Sequence, residues 1–125
     1  KNCNTIMAAH NELGNQGESL AKDYLIQHGY QILETNYRFQ KAEVDIIALK
    51  KDILAVVEVK TRSTEVFGNP QDFVNQKKIK LLTNAIDHYI NERELQVEVR
   101  FDIIAIIWKN NQAQVKHLED AFLHF

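Results

Sequence analysis

Two acidic residues interrupt the apolar segments over residues 42–60. Asp45 lies in AEVDIIALK, and Glu58 lies in ILAVVEVK, with Lys60 two residues after it. A two-residue turn at Lys51–Asp52 would join the segments as an antiparallel hairpin in which Asp45 lies opposite Glu58. Carboxylates so placed can share a proton, which raises one pKa, or can hold a divalent cation together.

The register of this hairpin decides whether the two acids meet. With that turn they share one sheet face, and Glu43 lies opposite Lys60, whereas a slip of one residue would place Asp45 and Glu58 on opposite faces. An ordinary hairpin with a Glu43–Lys60 ion pair is the competing interpretation. The favoured register predicts a Mg²⁺ or Mn²⁺ site, because Mg²⁺ takes one or two carboxylates and keeps other positions for water and phosphate. Lys60 would orient a water there or offset charge on the phosphate.

Further charged residues could extend the site toward a substrate. Glu43 could act as an additional ligand or in the outer shell of the site, or remain an ion-pair partner. Arg62 could bind a phosphate, although a solvated strand end explains it as well. Lys77, Lys78 and Lys80 lie near the start of a predicted helix, where a basic turn could follow a nucleic-acid backbone. A solvated helix face explains them equally, and Lys77 is the best candidate for substrate contact.

A second charged pair, Arg100 and Asp102, lies in the strand segment VEVRFDIIAIIW. The two residues share a sheet face, so a structural ion pair is the favoured interpretation, with an outer-shell contact of Asp102 to the site as the alternative. The histidines show no metal-ligand spacing, and neither a Gly-rich phosphate loop nor a nucleophile elbow is visible.

The elements that must position these residues follow from hydrophobic periodicity and turn signals. The predicted order is α-β-β-β-α-β-β, with helices over 13–28 and 69–91 and strands over 30–39, 42–50, 53–60, 97–108 and 113–118. The second helix is predicted to start at Asn69–Pro70, a cap followed by a proline in the first turn. The strand-helix-strand crossover requires a parallel pair, so the class is α/β with a mixed central sheet flanked by helices.

Composition limits the class of protein. The chain has 125 residues, 45% of them hydrophobic, which suits a single domain over residues 11–125 preceded by a disordered extension over 1–10. Cys3 has no partner for a disulfide, so a reducing cytoplasm is the expected compartment. The apolar run Ile103–Trp108 is too short to cross a membrane. A net charge of -2 gives no global attraction to polyanions, so any phosphate binding must be local.

The segments GNQGESLAKDYLIQHGYQILETNYR, AEVDIIA, VVEVKTR and RFDIIAI together resemble the YraN-like bacterial uncharacterised protein family. That family is similar to archaeal Holliday-junction resolvases and to the PD-(D/E)xK nuclease superfamily. The resemblance spans nearly the whole chain. It implies a restriction-endonuclease-like fold and a divalent-metal-dependent endonuclease that acts on DNA, including branched or structured DNA.

The resemblance also implies roles for individual residues. Asp45 and Glu58 correspond to metal ligands, together with the backbone carbonyl of Val59, and Lys60 corresponds to the catalytic lysine. Glu18, in the first helix, corresponds to an acid that approaches the metal in resolvase-like members.

Two departures from the family pattern bear on activity. Ala42 stands where members usually have glycine, and Val44 replaces the proline that names the superfamily. A nucleic-acid-binding module that keeps the nuclease fold without turnover is therefore the alternative function, and a protein adaptor is a third. The resemblance to resolvases leaves a homodimer open.

Overall fold

The computed structural model describes residues 16–62 and 75–121. In chain order they form α1 (16–27), β1 (Gln31–Phe39), β2 (Ala42–Lys50), β3 (Ile53–Arg62), α2 (Gln76–Arg93), β4 (Glu98–Lys109) and β5 (Gln112–Leu118). This order confirms the predicted α-β-β-β-α-β-β arrangement. The expected extension over residues 1–10 lies outside the described residues.

The five strands form one mixed sheet in the order β1-β2-β3-β4-β5. The β3–β4 pair is parallel, from Ile53 opposite Glu98 to Arg62 opposite Ile107, and the other three pairs are antiparallel. A parallel pair needs a crossover, and α2 lies in it. The predicted α/β class with a mixed sheet is confirmed.

Helices cover both faces of the sheet, which is why the central strands read as continuous apolar runs. The α1 side buries Ile46, Ala48, Ala55, Val57, Ile104 and Ile106, and the α2 side buries Ile47, Leu54, Val56 and Ile103. From α1, Ala21 and Leu25 are fully buried. From α2, Leu82, Ile86 and Tyr89 are at most 4% exposed.

The helix ends show which local signals set them. After α1, Gly29 has φ of 90°, and the Tyr30 amide donates to the Leu25 carbonyl at 2.9 Å, a common helix termination. The N-cap of α2 is Asn75, whose side-chain oxygen accepts from the Lys78 amide at 2.8 Å. α2 therefore begins after Asn75, later than the predicted start at Asn69–Pro70, and residues 69 and 70 lie outside the described residues.

Candidate metal-binding site

The predicted hairpin register is confirmed over five pairs, from Lys50 opposite Ile53 to Ile46 opposite Val57. The backbone ladder ends there, one pair before Asp45 and Glu58 would meet. Beyond it, the Asp45 side chain connects the two strands, because its Oδ2 accepts a hydrogen bond from the Val59 amide at 2.8 Å. The two acids therefore lie where β2 and β3 part.

β2 is distorted at Asp45. Val44 packs into the core on the α2 side, whereas Ile46 packs into the core on the α1 side. Side chains two residues apart share a face in a regular strand, so the alternation is interrupted at Asp45. Asn36, opposite Asp45 on β1, has φ of 52°, in the left-handed region that asparagine tolerates. This irregularity brings the Asp45 carboxylate to the Val59 amide.

A cavity of about 510 Å³ opens where the strands part. Its lining includes five residues predicted to belong to the site, namely Glu43, Asp45, Glu58, Val59 and Lys60. Lys41 and Lys78 add two further cations, and Leu81 and Leu82 of α2 close one side. An acidic centre with lysines around it is the arrangement expected for holding a cation and a phosphate at once.

The environment of Asp45 favours its protonated form. Burial and, to a smaller extent, the charges of Glu58, Glu18 and Glu43 raise the pKa of Asp45, the hydrogen bond from Val59 lowers it, and the net pKa is about 6. The Asp45 carboxylate therefore has too little positive charge around it to offset its burial and the neighbouring acids. A cation placed among these carboxylates would reverse that effect.

Glu58 is only partly satisfied. Its Oε1 contacts the Lys78 ammonium, and its Oε2 lies 3.9 Å from the Lys60 ammonium. Oε2 is buried and, within residues 16–62 and 75–121, has no hydrogen-bond partner. A buried carboxylate oxygen without a donor is costly, and hard divalent cations prefer oxygen ligands, so this atom fits a metal ligand.

The described residues contain no group of three or more His, Cys, Asp or Glu side chains that could hold a metal ion. Of the carboxylates that line the cavity, Glu43 is paired with Arg38, which leaves Asp45 and Glu58 together with the Val59 carbonyl predicted to join them. That number suits Mg²⁺, which binds through one or two carboxylates and retains waters.

Glu18 approaches this set from α1. Its neighbour Gly17 packs so closely on β3 that a Cβ there would overlap the Thr61 hydroxyl. Glu18 is half-buried, and its charge raises the pKa of Asp45. Its predicted place near the metal stays a prediction.

The structure gives the site a different lysine from α2. Lys77 is exposed, whereas Lys78 lines the cavity and contacts Glu58. Lys78 precedes Leu82 and Ile86 at spacings of four, so it continues the buried stripe of α2 by one turn. That spacing was present in the sequence and could have identified Lys78.

Glu43 and Arg62 make contacts that the sequence did not predict. Glu43 forms its ion pair with Arg38 of β1, at 2.9 Å on the surface, in place of the expected pair with Lys60. Because β2 and β3 part before Glu43, its partner comes from the strand on its other side. The exposed Arg62 donates from its guanidinium to the Thr61 carbonyl at 2.9 Å, so its role in binding phosphate stays a prediction.

Asp102 belongs to a separate network on the α1 side of the sheet. It is fully buried and accepts hydrogen bonds from Arg100 at 2.9 Å and from the Asp120 amide at 3.2 Å, and the His117 ring nitrogen lies 2.8 Å from it. Burial raises the pKa of Asp102, but the bonds to His117 and Arg100 outweigh it and hold the pKa below its ordinary value. The structural Arg100–Asp102 pair is confirmed. These partners give Asp102 a structural role, and its outer-shell role at the metal site stays a prediction.

Comparison with known proteins places the chain in a family. The sequence model described as "Uncharacterised protein family UPF0102" matches residues 17–106. The chain belongs to this family. The match confirms the predicted YraN-like assignment.

Relatives support the membership of this UPF0102 chain. The UPF0102 protein of Christiangramia forsetii is 59% identical over 119 residues, which cover 95% of this chain and 100% of the relative. The UPF0102 protein of Parabacteroides distasonis is 46% identical over 116 residues, covering 93% and 96% of the two chains. The match to the solved structure of SfsA from Pyrococcus furiosus in complex with Ca²⁺ is distant. It has a TM-score of 0.36 and 11% identity, and it covers 88% of this chain and 63% of that one.

Within the described residues of this UPF0102 chain, neither helix has the length and hydropathy needed to span a membrane.

Proposed function

We propose that this UPF0102 protein is a divalent-metal-dependent endonuclease that hydrolyses phosphodiester bonds in DNA, including branched or structured DNA. One observation carries the proposal: the buried Oε2 of Glu58 has no hydrogen-bond partner among the described residues, and Glu58 shares with Asp45 a cavity lined by lysines. A buried carboxylate oxygen without a hydrogen-bond partner lowers the stability of the fold, so a purely structural role does not explain it. A metal-binding site uses such an oxygen as a ligand.

Mg²⁺ or Mn²⁺ is the cofactor that this donor set suits. The carboxylates of Asp45 and Glu58 and the Val59 carbonyl would hold it, with Glu18 approaching from α1. When bound, such a cation activates water and offsets negative charge on a phosphate. The hydrogen bond from the Val59 amide fixes one oxygen of Asp45, so the carboxylate is oriented before any cation arrives.

The protein's own cations support a phosphodiester substrate. Lys60 lines the cavity beside Glu58, where its ammonium can orient the attacking water or stabilise charge developing on the phosphate. Lys41 lines the same cavity, and Arg62 and Lys77 are exposed outside its lining, where they can bind neighbouring phosphates of the backbone. Because the chain has a net charge of -2, phosphate binding needs a local positive surface, and this group of cations supplies one.

A cleavage assay over duplex, flap, single-stranded and four-way-junction DNA with Mg²⁺ or Mn²⁺ tests the proposal. We expect Asp45→Asn and Lys60→Ala to reduce cleavage by at least about a hundredfold, as loss of an essential charge-stabilising group does. Asp87→Asn and Lys116→Ala, which change exposed residues of the same types on α2 and β5, should cleave as the parent does. Equal cleavage by the parent and the site variants on every substrate would refute the proposal.

A nucleic-acid-binding module without turnover is the second candidate function. The contact between Lys78 and Glu58 favours it, because an ammonium already neutralises one oxygen of the acid pair. This candidate predicts that the parent binds DNA with salt-dependent affinity while isothermal titration calorimetry detects no Mn²⁺ binding. The endonuclease proposal predicts binding of both.

A further inference from the structure

Lys78 occupies a position that is unfavourable for a cation unless an anion faces it. It lies in the first turn of α2, where the unpaired amides give a partial positive charge. That turn contains no acidic residue, and Lys77 lies next to Lys78. In the part of the chain that the structure describes, the acidic partner of Lys78 is Glu58 on β3. The negative charge that offsets Lys78 is therefore supplied by β3 and not by the first turn of α2.

The Lys78 backbone is fixed while its side chain retains access to solvent. Its amide donates to the Asn75 cap at 2.8 Å, which anchors the first turn. Its side chain is 33% exposed and lines the cavity, whereas the Glu58 side chain is 14% exposed. If Lys78 leaves Glu58, its ammonium stays within reach of the cavity because only its flexible four-carbon stem has to move.

We propose that Lys78 is a substrate-phosphate-binding residue that acts as counter-ion to Glu58 until a divalent cation replaces it. This inference rests on the proposed metal-dependent function. Binding of the cation removes the ammonium from Oε1 of Glu58, and the released ammonium then contacts a phosphate of the DNA backbone. The exchange replaces one positive charge beside Glu58 by two and makes DNA contact by Lys78 depend on the metal.

Metal affinity gives the first test, without any measurement of cleavage. Titration calorimetry with Mn²⁺ should show that Lys78→Met binds about three- to tenfold more tightly than the parent, because the competing ion pair is gone. Lys77→Met removes the same charge from the same turn without touching Glu58, so it corrects for long-range electrostatics and should stay close to the parent. Lys78→Arg restores a competing cation and should also stay close to the parent.

DNA affinity gives the second test. With Ca²⁺ in place of Mg²⁺ to limit hydrolysis, the slope of log affinity against log salt should be smaller for Lys78→Met than for the parent by about 0.7 to 0.9, the loss of one phosphate contact. In EDTA the two slopes should agree, because Lys78 is then held by Glu58. Circular dichroism before each titration establishes that the variants are folded.

The outcomes separate this inference from the function on which it rests. A parent that binds Mn²⁺ together with a Lys78→Met variant of unchanged affinity overturns the role of Lys78 and leaves the metal site standing. A slope difference that is equal in EDTA and in Ca²⁺ also overturns it, since Lys78 would then contact DNA without exchange. A parent that binds no Mn²⁺ overturns both proposals.

Discussion

Asp45 and Asp102 are both withdrawn from solvent on central strands, yet their surroundings have opposite effects. Burial raises the pKa of each, and for Asp102 the bonds to His117 and Arg100 more than reverse that rise. Among the described residues, Asp45 receives one backbone hydrogen bond, from Val59, and lies near other acids, so its pKa rises to about 6. Withdrawal from solvent thus gives a structural acid where donors suffice and a candidate ligand where they do not.

The largest effect that should separate the two acids is on stability. Asp102→Ala leaves Arg100 and His117 without their acceptor in the core, so we expect it to lower the free energy of unfolding by about 3 to 5 kcal/mol. Urea denaturation followed by circular dichroism measures this. Asp87→Ala, which removes an exposed acid, should stay within about 0.5 kcal/mol of the parent. A loss below about 1 kcal/mol for Asp102→Ala would show that its network contributes little.

The pH dependence of stability should have opposite signs for the two acids. The folded protein keeps the proton on Asp45 up to a pKa of about 6, against 3.8 ordinarily. In EDTA, Asp45 should therefore lower the free energy of unfolding as pH rises from about 4 to about 6, by at most about 3 kcal/mol. The stabilisation from Asp102 is complete above its ordinary pKa and is lost only as pH falls below it.

Asp45→Asn isolates this contribution because its side-chain oxygen can still accept from the Val59 amide. Unfolding curves at intervals between pH 4 and pH 8 should show the parent losing stability relative to Asp45→Asn as pH rises. Parallel curves for the two proteins would mean that the site does not raise the pKa of Asp45.

The smallest effect should come from an acid that is neither buried nor short of donors. Glu43 is 48% exposed and its partner Arg38 is 77% exposed. Glu43→Gln should change the free energy of unfolding by less than about 0.5 kcal/mol, since exposed ion pairs contribute little. Thermal and urea unfolding check this. A cost above about 1 kcal/mol would indicate that Glu43 supports the fold as Asp102 does.

The sequence predicted the sheet better than it predicted contacts at the site. The short turn after Lys50 and the apolar runs on both sides of it determine the register, and the crossover length determines the parallel pair. The cross-strand rule failed for Glu43, because it assumes that β2 and β3 remain paired past Ile46. That departure depends on the distortion at Asp45, which strand periodicity does not encode.

The lysine of α2 shows a second limit. Lys77 was predicted because the helix start was expected near the loop that follows Lys60, whereas Lys78 contacts Glu58 in the structure. Neighbouring helix residues point about 100° apart, so the identity of the contacting lysine depends on the rotation of α2 about its axis. The buried stripe through Leu82 and Ile86 was the more reliable guide.

Binding of a divalent cation by the acid pair where β2 and β3 part is the step on which the proposed function depends. Electron paramagnetic resonance of added Mn²⁺ near pH 7.5 tests it directly by counting bound and free ions for the parent and for Asp45→Asn. We expect the parent to bind a single Mn²⁺ per chain and Asp45→Asn to bind it at least about tenfold more weakly, because one of the two carboxylate ligands is lost. Equal binding by the two proteins, or none by the parent, would contradict the proposal.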